Sequence, residues 1–307
     1  MPPDISVPEA ATPAVPGGSH GVIHDIGYRR FDGDRRGRGY IRRSLFVDSL
    51  RGAYGLGRSG RSKVMPLLLL AVMCLPASAI VAITAVMGAP ELVGGYPSYL
   101  LSLQPILSIF VAAQAPVLVS RDLRFGVTSL YFSRPLERLD YVLGKFGAMV
   151  VALFVLMAGP LTIMFFGALI VGLPIGAQIP DYLRAVAGAA LLSLVLAGIG
   201  LLIAAVTPRR GLAVAAVVTV LVVLSGVQAV AQGIAFERGV GEAGAYLGLL
   251  SPYTLVDGIQ SSLLGAASPL PTPPGAIGGA VFAAAAVLLV GGCFMALVLR
   301  YRSVSVS

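Results

Sequence analysis

Residues Phe146–Val171 read FGAMVVALFVLMAGPLTIMFFGALIV, and none of these residues is Asp, Glu, Lys, Arg or His. About 20 apolar residues in a helix cover the roughly 30 Å hydrocarbon core of a bilayer. Lipid offers backbone groups no hydrogen-bond partner, so a stretch this apolar must satisfy its own N–H and C=O groups as a helix. Five more runs meet the same test: Val64–Met87, Tyr99–Val119, Ala185–Val206, Leu212–Ala235 and Ala276–Leu299. All five likewise lack ionisable Asp, Glu, Lys, Arg and His. The expected fold is an all-α polytopic membrane protein with six transmembrane helices.

Composition agrees. The chain has 307 residues, of which 57% are hydrophobic and only 12% charged, against about 25% charged in soluble domains. Mean hydropathy is +0.89. Too few polar side chains remain to cover a soluble fold of this size. The two cysteines, Cys74 and Cys293, lie inside apolar runs, which excludes a secreted disulfide scaffold. His20 and His24 sit together in the polar N-terminal region, where no Cys/His spacing suggests a metal. Residues 1–20 carry Asp4, Glu9 and five prolines, unlike the basic-then-apolar order of a signal peptide.

The basic residues are divided unevenly between the two sides of the membrane. Of 22 Lys and Arg, 20 fall before span one, after spans two and four, or after span six. Only Arg184 and Arg238 fall on the other side. By the positive-inside rule, both termini are expected in the cytoplasm. The net charge of +8 then faces anionic headgroups or a cytoplasmic partner, and no nucleic-acid partner is expected. The Ala/Gly/Arg-rich usage resembles a GC-rich bacterial source, so the expected location is a bacterial plasma (inner) membrane.

Residues 1–39 read as a disordered basic leader. Residues 40–63 read as an amphipathic interfacial helix and hinge. In Tyr40–Tyr54, Ile41, Leu45, Phe46, Leu50 and Tyr54 recur at helical spacing while Arg42, Arg43, Asp48 and Arg51 occupy the rest. That pattern suits a helix lying in the inner interface, or one packed on loops of the same protein. Gly55–Ser62 imitates a P-loop, with Arg61 where lysine belongs. It follows a helix instead of a strand and leads into a span, so it reads as a hinge. No ATPase site is expected in this chain, and its cofactors are none.

The remaining candidates for chemistry are thin. No histidine lies near the membrane to serve as a base. Glu91, Asp181, Glu237, Glu242 and Asp257 read as solvated loop carboxylates. With no ionisable group inside a span, a proton-driven carrier is disfavoured, although coupling through backbone carbonyls stays open. Span two carries Gln104 and Gln114 with Pro105 and Pro116; span five carries Ser225, Gln228 and Gln232. Gln228 and Gln232 share a helix face. These glutamines either bond neighbouring helices or line a pathway. Residues 245–267 are apolar but interrupted by Pro252 and Asp257, too short in each piece to cross. They are expected to be half-inserted, or to lie in the interface, on the outer face.

The longest loop on the basic side, Ser120–Gly147, reads SRDLRFGVTSLYFSRPLERLDYVLGKFG. Ser120 is a candidate cap with Asp122 in the following turn. Gly126 and Thr128 break that helix, and Ser133 with Pro135 restarts one that runs through Lys145 into span three. The loop is therefore a helix–turn–helix corner at the membrane face.

Asp122, Gly126 with Thr128, Pro135, Arg138, Gly144 and Lys145 together resemble the cytoplasmic loop of ABC transporter permeases of the ABC-2 type. Asp122 stands where that family more often has Glu, and Val127 separates Gly126 from Thr128. Leu250–Gly258 with Leu264–Gly265 resembles the family's Pro-containing external segment. The likeness spans about residues 40–302, with the six-span transmembrane domain at 64–302. It implies an ABC-2 exporter-like fold and a non-enzymatic permease subunit. The implied cargo is apolar or amphiphilic: a drug, a lipid or a lipid-linked molecule. Two permease chains, the same or sister, would pair with two copies of a cytoplasmic ABC ATPase that binds the ATP and Mg. The ATPase would dock on the corner at 120–145, through Arg121, Asp122, Arg124, Phe125, Gly126, Arg134, Pro135 and Arg138. Gln104, Gln114, Gln228 and Gln232 are the pathway candidates. A non-transporting membrane scaffold or assembly factor, or an ion-coupled carrier, fits the same residues.

Overall fold

The apolar run at 146–171 is the core of a longer helix. Eight residues of mixed polarity before it keep helical geometry, with Asp140 in the first turn complementing the helix dipole. In the computed structural model, residues 37–57, 60–120, 122, 137–207, 209–271, 273 and 275–303 are described, all within one compact unit, Gly37–Ser307. Residues 1–36 of the leader at 1–39, and residues 121 and 123–136 of the corner at 120–145, lie outside the described residues.

All regular structure among the described residues is helical: α1 (Arg38–Ala53), α2 (Gly60–Met87), α3 (Gly95–Ser102), α4 (Gln104–Leu118), α5 (Arg138–Ile170), α6 (Ile175–Val206), α7 (Arg210–Glu237), α8 (Gly241–Ala245), a 3-10 turn (Tyr246–Leu250), α9 (Pro252–Leu263) and α10 (Gly275–Ser303). Helices α2, α5, α6, α7 and α10 are each long and apolar enough to cross a membrane. The chain has the architecture of a multi-pass helical membrane protein.

Span two departs from expectation. In place of one helix over Tyr99–Val119, α3 and α4 meet at Leu103 with a 53° bend. Pro105 lies in the first turn of α4, where its missing N–H costs nothing, so the chain restarts a helix there without continuing the old one. The pair counts as one broken span, giving six crossings, or as a re-entrant element, giving five.

Helices α5 and α6 form the centre. In its most apolar window α6 is 67% buried, against 17% for α2, 22% for α7 and 28% for α10, whose outer faces carry exposed Leu, Ile and Val. Close approach in the centre depends on glycine. A Cβ at Gly200 of α6 would overlap Val111 of α4, and one at Gly188 would overlap the Gln260 amide of α9. Small residues at such crossings let backbones pack where no hydrophobic drive separates protein from lipid.

The apolar stripe of α1 is covered by protein. Leu45 and Ala53 are buried, and Ile41, Phe46, Leu50 and Tyr54 pack against the same core. Leu45 and Phe46 lie over Gly144 and Gly147 of α5, and the Tyr54 hydroxyl donates to the Ala152 carbonyl at 2.7 Å. Arg42, Arg43, Asp48 and Arg51 occupy the exposed side. The stripe thus packs on the protein's own helices, where the sequence offered the interface or the protein's loops. The helix starts at Arg38, within the stretch read as leader. After it, Gly55 and Gly57 adopt φ of +66° and +80°, so the P-loop-like run begins as a glycine turn between two helices.

Candidate functional site

At the basic end, where α1 and α5 begin and α4, α6 and α10 end, charges pair across elements. Asp122 accepts from the Lys145 ammonium at 2.9 Å and from the Tyr141 hydroxyl at 2.7 Å, both on the same carboxylate oxygen. Lys145 is 8% exposed, and its ammonium also sits 5.5 Å over the Tyr141 ring. The Tyr141 and Tyr301 rings lie 5.0 Å apart, which brings the end of α10 into the cluster. The Ser120 hydroxyl donates to the Ala204 carbonyl of α6 at 2.7 Å, so its side chain anchors the corner to α6. Arg38 of α1 bridges Asp140 at 2.6 Å and Glu137 at 2.5 Å. Two carboxylates around it raise the Arg38 guanidinium above its ordinary pKa.

Of the expected docking set, Asp122 and Arg138 are among the described residues. Asp122 is turned inward, its carboxylate held by Lys145 and Tyr141 with 17% of the side chain exposed. Its side chain presents little surface to a partner. Arg138 is exposed at the start of α5 and reaches the Arg302 carbonyl at 3.5 Å. Arg121, Arg124, Phe125, Gly126, Arg134 and Pro135 lie outside the described residues.

At the opposite end, α4, α7, α8 and α9 and the 269–271 segment border an open cavity of about 890 Å³. Gln104, Ser225, Gln228, Gln232, Thr254 and Glu242 supply its polar wall. Gln228 and Gln232 are buried, and the Gln228 amide donates to Gln232 at 2.5 Å, as expected of residues four apart on one helix. Three of the four pathway candidates thus meet in one place. Gln114 is buried farther along α4 and does not line this cavity.

Of the 245–267 segment expected to be half-inserted or to lie in the interface, residues 251–260 are buried among the protein's own helices, while Leu250 and residues 263–265 are exposed. Residues Pro252 to Gln260 of α9 are all buried, against α6, α10, α3 and α4. Its 12 residues give a length of about 18 Å, too short to span. Hydroxyls tie it down: Ser108 and Tyr253 meet at 2.6 Å, Tyr253 donates to the Gln104 carbonyl at 3.2 Å, and Ser225 and Ser251 meet at 3.1 Å.

Asp257 is therefore no solvated loop carboxylate. It is 5% exposed. One oxygen accepts from Ser268 at 2.5 Å; the other, Oδ1, is buried with no hydrogen-bond partner among the described residues. Burial pushes this carboxyl above the ordinary carboxylate range, and the Ser268 bond offsets part of the rise. A signal for its burial was present in the sequence: Tyr253, Val256, Asp257 and Gln260 follow the spacing of a single helix face. Ser268 had none, because it pairs across a loop.

No group of three or more metal-ligating side chains is positioned for an ion among the described residues. No protein-family model matches the chain, and no curated protein is significantly similar to it.

Proposed function

We propose that this chain is the membrane-spanning permease subunit of an ATP-driven ABC-2-type exporter in a bacterial plasma membrane, with both termini in the cytoplasm. A separate ABC ATPase in two copies binds and hydrolyses ATP with Mg, and a second permease chain completes the pathway. The observation that carries this reading is α5, an unbroken helix of 33 residues from Arg138 to Ile170. Its N-terminal turns are braced by the Lys145–Asp122 pair and by Arg38 of α1. A braced helix of about 50 Å carries a push on the corner into the membrane centre as rigid-body movement.

The large cavity supports an amphiphilic cargo. Amides and hydroxyls from Gln104, Gln228, Gln232, Ser225 and Thr254 suit a polar headgroup, and Phe236 with Leu270 and its flanking prolines suits an apolar chain. Charged residues near the corner give register to a partner, and an apolar anchor gives affinity.

The test is mild-detergent purification of the tagged full chain from its native cells, with mass spectrometry and ATPase assay of what accompanies it. A stoichiometric Walker-motif subunit with vanadate-sensitive turnover is expected, and Arg138→Glu is expected to release it. Recovery of the permease chain without any nucleotide-binding partner would overturn the proposal and favour a scaffold or an ion-coupled carrier.

A further inference from the structure

The Asp257 carboxylate is the one buried acid whose charge no described cation meets. The groups on the surrounding elements lie or pair elsewhere: on α7 the ionisable residues are Arg210 and Glu237, exposed at its two ends, and on α6 the Tyr182 hydroxyl meets that of Thr162 at 3.0 Å. On α6, Arg184 pairs with Asp181 at 2.8 Å with both side chains partly exposed, and only its backbone carbonyl turns to α9, accepting from Gln260 at 3.0 Å. On α3, the Tyr96 hydroxyl is bonded to Gln178 and the Tyr99 hydroxyl to the Met73 carbonyl. On α9 itself, Tyr253 bonds Ser108 and the Gln104 carbonyl. The portion of α10 from Gly275 to Gly292 has no ionisable side chain, and α4 has none along its length. Glu242 of α8 lines the large cavity, Glu91 lines a separate cavity near Arg184, and Tyr246 of the 3-10 turn stacks toward Phe282.

A carboxylate in such surroundings must be compensated by a proton, a cation or water, because an isolated ion in an apolar interior is too costly. A cavity of about 10 Å³, lined by Asp257, Gln260, Tyr253, Gly188 and Pro97, adjoins it. That volume holds about one water. Pro97 also borders the cavity of about 410 Å³ that Glu91, Asp181 and Arg184 line.

The carboxylate is connected to more than α9. Ser268 donates to Asp257 Oδ2 and accepts from the Leu270 N–H at 3.0 Å. Pro269, Leu270 and Pro271 form one wall of the large cavity. A two-bond chain thus runs from the buried acid to the cavity wall.

We propose that Asp257 is a proton-binding site whose occupancy holds the 268–271 wall of the large cavity in place. With the proton bound, the neutral carboxyl stays dry and keeps α9 and Ser268 docked. Loss of the proton leaves a buried anion that draws water between α9 and the 264–271 segment, and the wall loosens. The proton is transferred to and from water as hydronium, with no other co-reactant. This site does not depend on the presence of an ATPase.

The experiment is infrared spectroscopy of the full chain in nanodiscs through a pH series, paired with amide hydrogen exchange over 264–271. At neutral pH the native protein is expected to show a protonated-carboxyl C=O band that Asp257→Asn removes. Exchange over 264–271 should match Asp257→Asn at low pH and exceed it several-fold at high pH. Should Asp257→Asn fail to fold, Ser268→Ala keeps the test: the band is expected to persist to higher pH, since the bond favouring the ionised form is gone. The proposal is overturned by the absence at neutral pH of a band that Asp257→Asn removes, by equal exchange in both proteins at every pH, or by an unshifted titration in Ser268→Ala. A band that appears only on removal of sodium would make this a cation site and overturn it as well.

Discussion

The two ends of the bundle each turn an aspartate inward, Asp122 half-buried and Asp257 buried, and resolve the charge differently. Asp122 at the basic end is met by an ammonium at 2.9 Å and a phenol at 2.7 Å. Asp257 at the other end is met by one hydroxyl, with its second oxygen unbonded among the described residues. The basic end is assembled from charges paired with one another across elements. Around Asp257 the far end packs through hydroxyls and amides with no described cation at the carboxylate, and in the proposal above its packing responds to protons. In the proposed permease, the first arrangement suits transmission of force and the second suits a wall that moves.

The comparison breaks most sharply at Lys145. Lys145→Met strands Asp122 beside an apolar side chain, and a loss of about 3 kcal/mol is expected, the low end for breaking a buried pair because Asp122 keeps some solvent contact. Thermal unfolding in detergent measures it. A companion Asp122→Leu change should restore most of the loss, since both charges are then gone; a double variant no more stable than Lys145→Met would show that the pair does not brace the corner.

At the far end, Gly188→Ala should cost about 1–3 kcal/mol, because the new methyl overlaps the Gln260 amide and pushes α9 off α6. The same substitution at Gly226 of α7, where a Cβ meets nothing, should be neutral or slightly stabilising in a parallel melt. Equal melting temperatures for the two would mean that α9 is not docked through Gly188.

Asp257→Asn sharpens the contrast through pH. Its folded-state pKa is raised, so the contribution of this one carboxyl to stability is fully present below the ordinary carboxylate pKa and is lost as pH rises toward the raised value. Asn carries no proton to lose. The variant should match the native protein within about 1 kcal/mol at low pH and exceed it once the native carboxyl ionises. Parallel pH profiles for both proteins would remove the proton from the account of this end. The smallest effect on stability is expected for Arg138→Glu, within about 0.5 kcal/mol for an exposed side chain, while association with the ATPase falls.

Much of this was legible in the residues. The six apolar runs map onto α2, the α3–α4 pair, α5, α6, α7 and α10, because satisfying the backbone within lipid leaves helices as the one local solution. The clustering of Gln104, Gln228 and Gln232 was legible only in part, since helical period puts Gln228 beside Gln232 but says nothing about which helix brings Gln104. The inward turn of Asp122 was not legible: its partner Lys145 lies beyond a long loop, and on its own each residue reads as a surface charge at a membrane face.

Composition and run length by themselves determined that the chain is helical and multi-pass, and charge asymmetry separated its two ends. Both are sums over local properties, with no need to know which segments touch. Tertiary structure decided that span two breaks at Leu103, that α1 spends its apolar stripe on α5, and that α9 is interior. An apolar residue is equally satisfied by lipid or by a neighbouring helix, so hydropathy cannot choose between them. The choice was made where shapes met, at glycines such as Gly188 and Gly144 that admit a neighbour's side chain against the helix backbone.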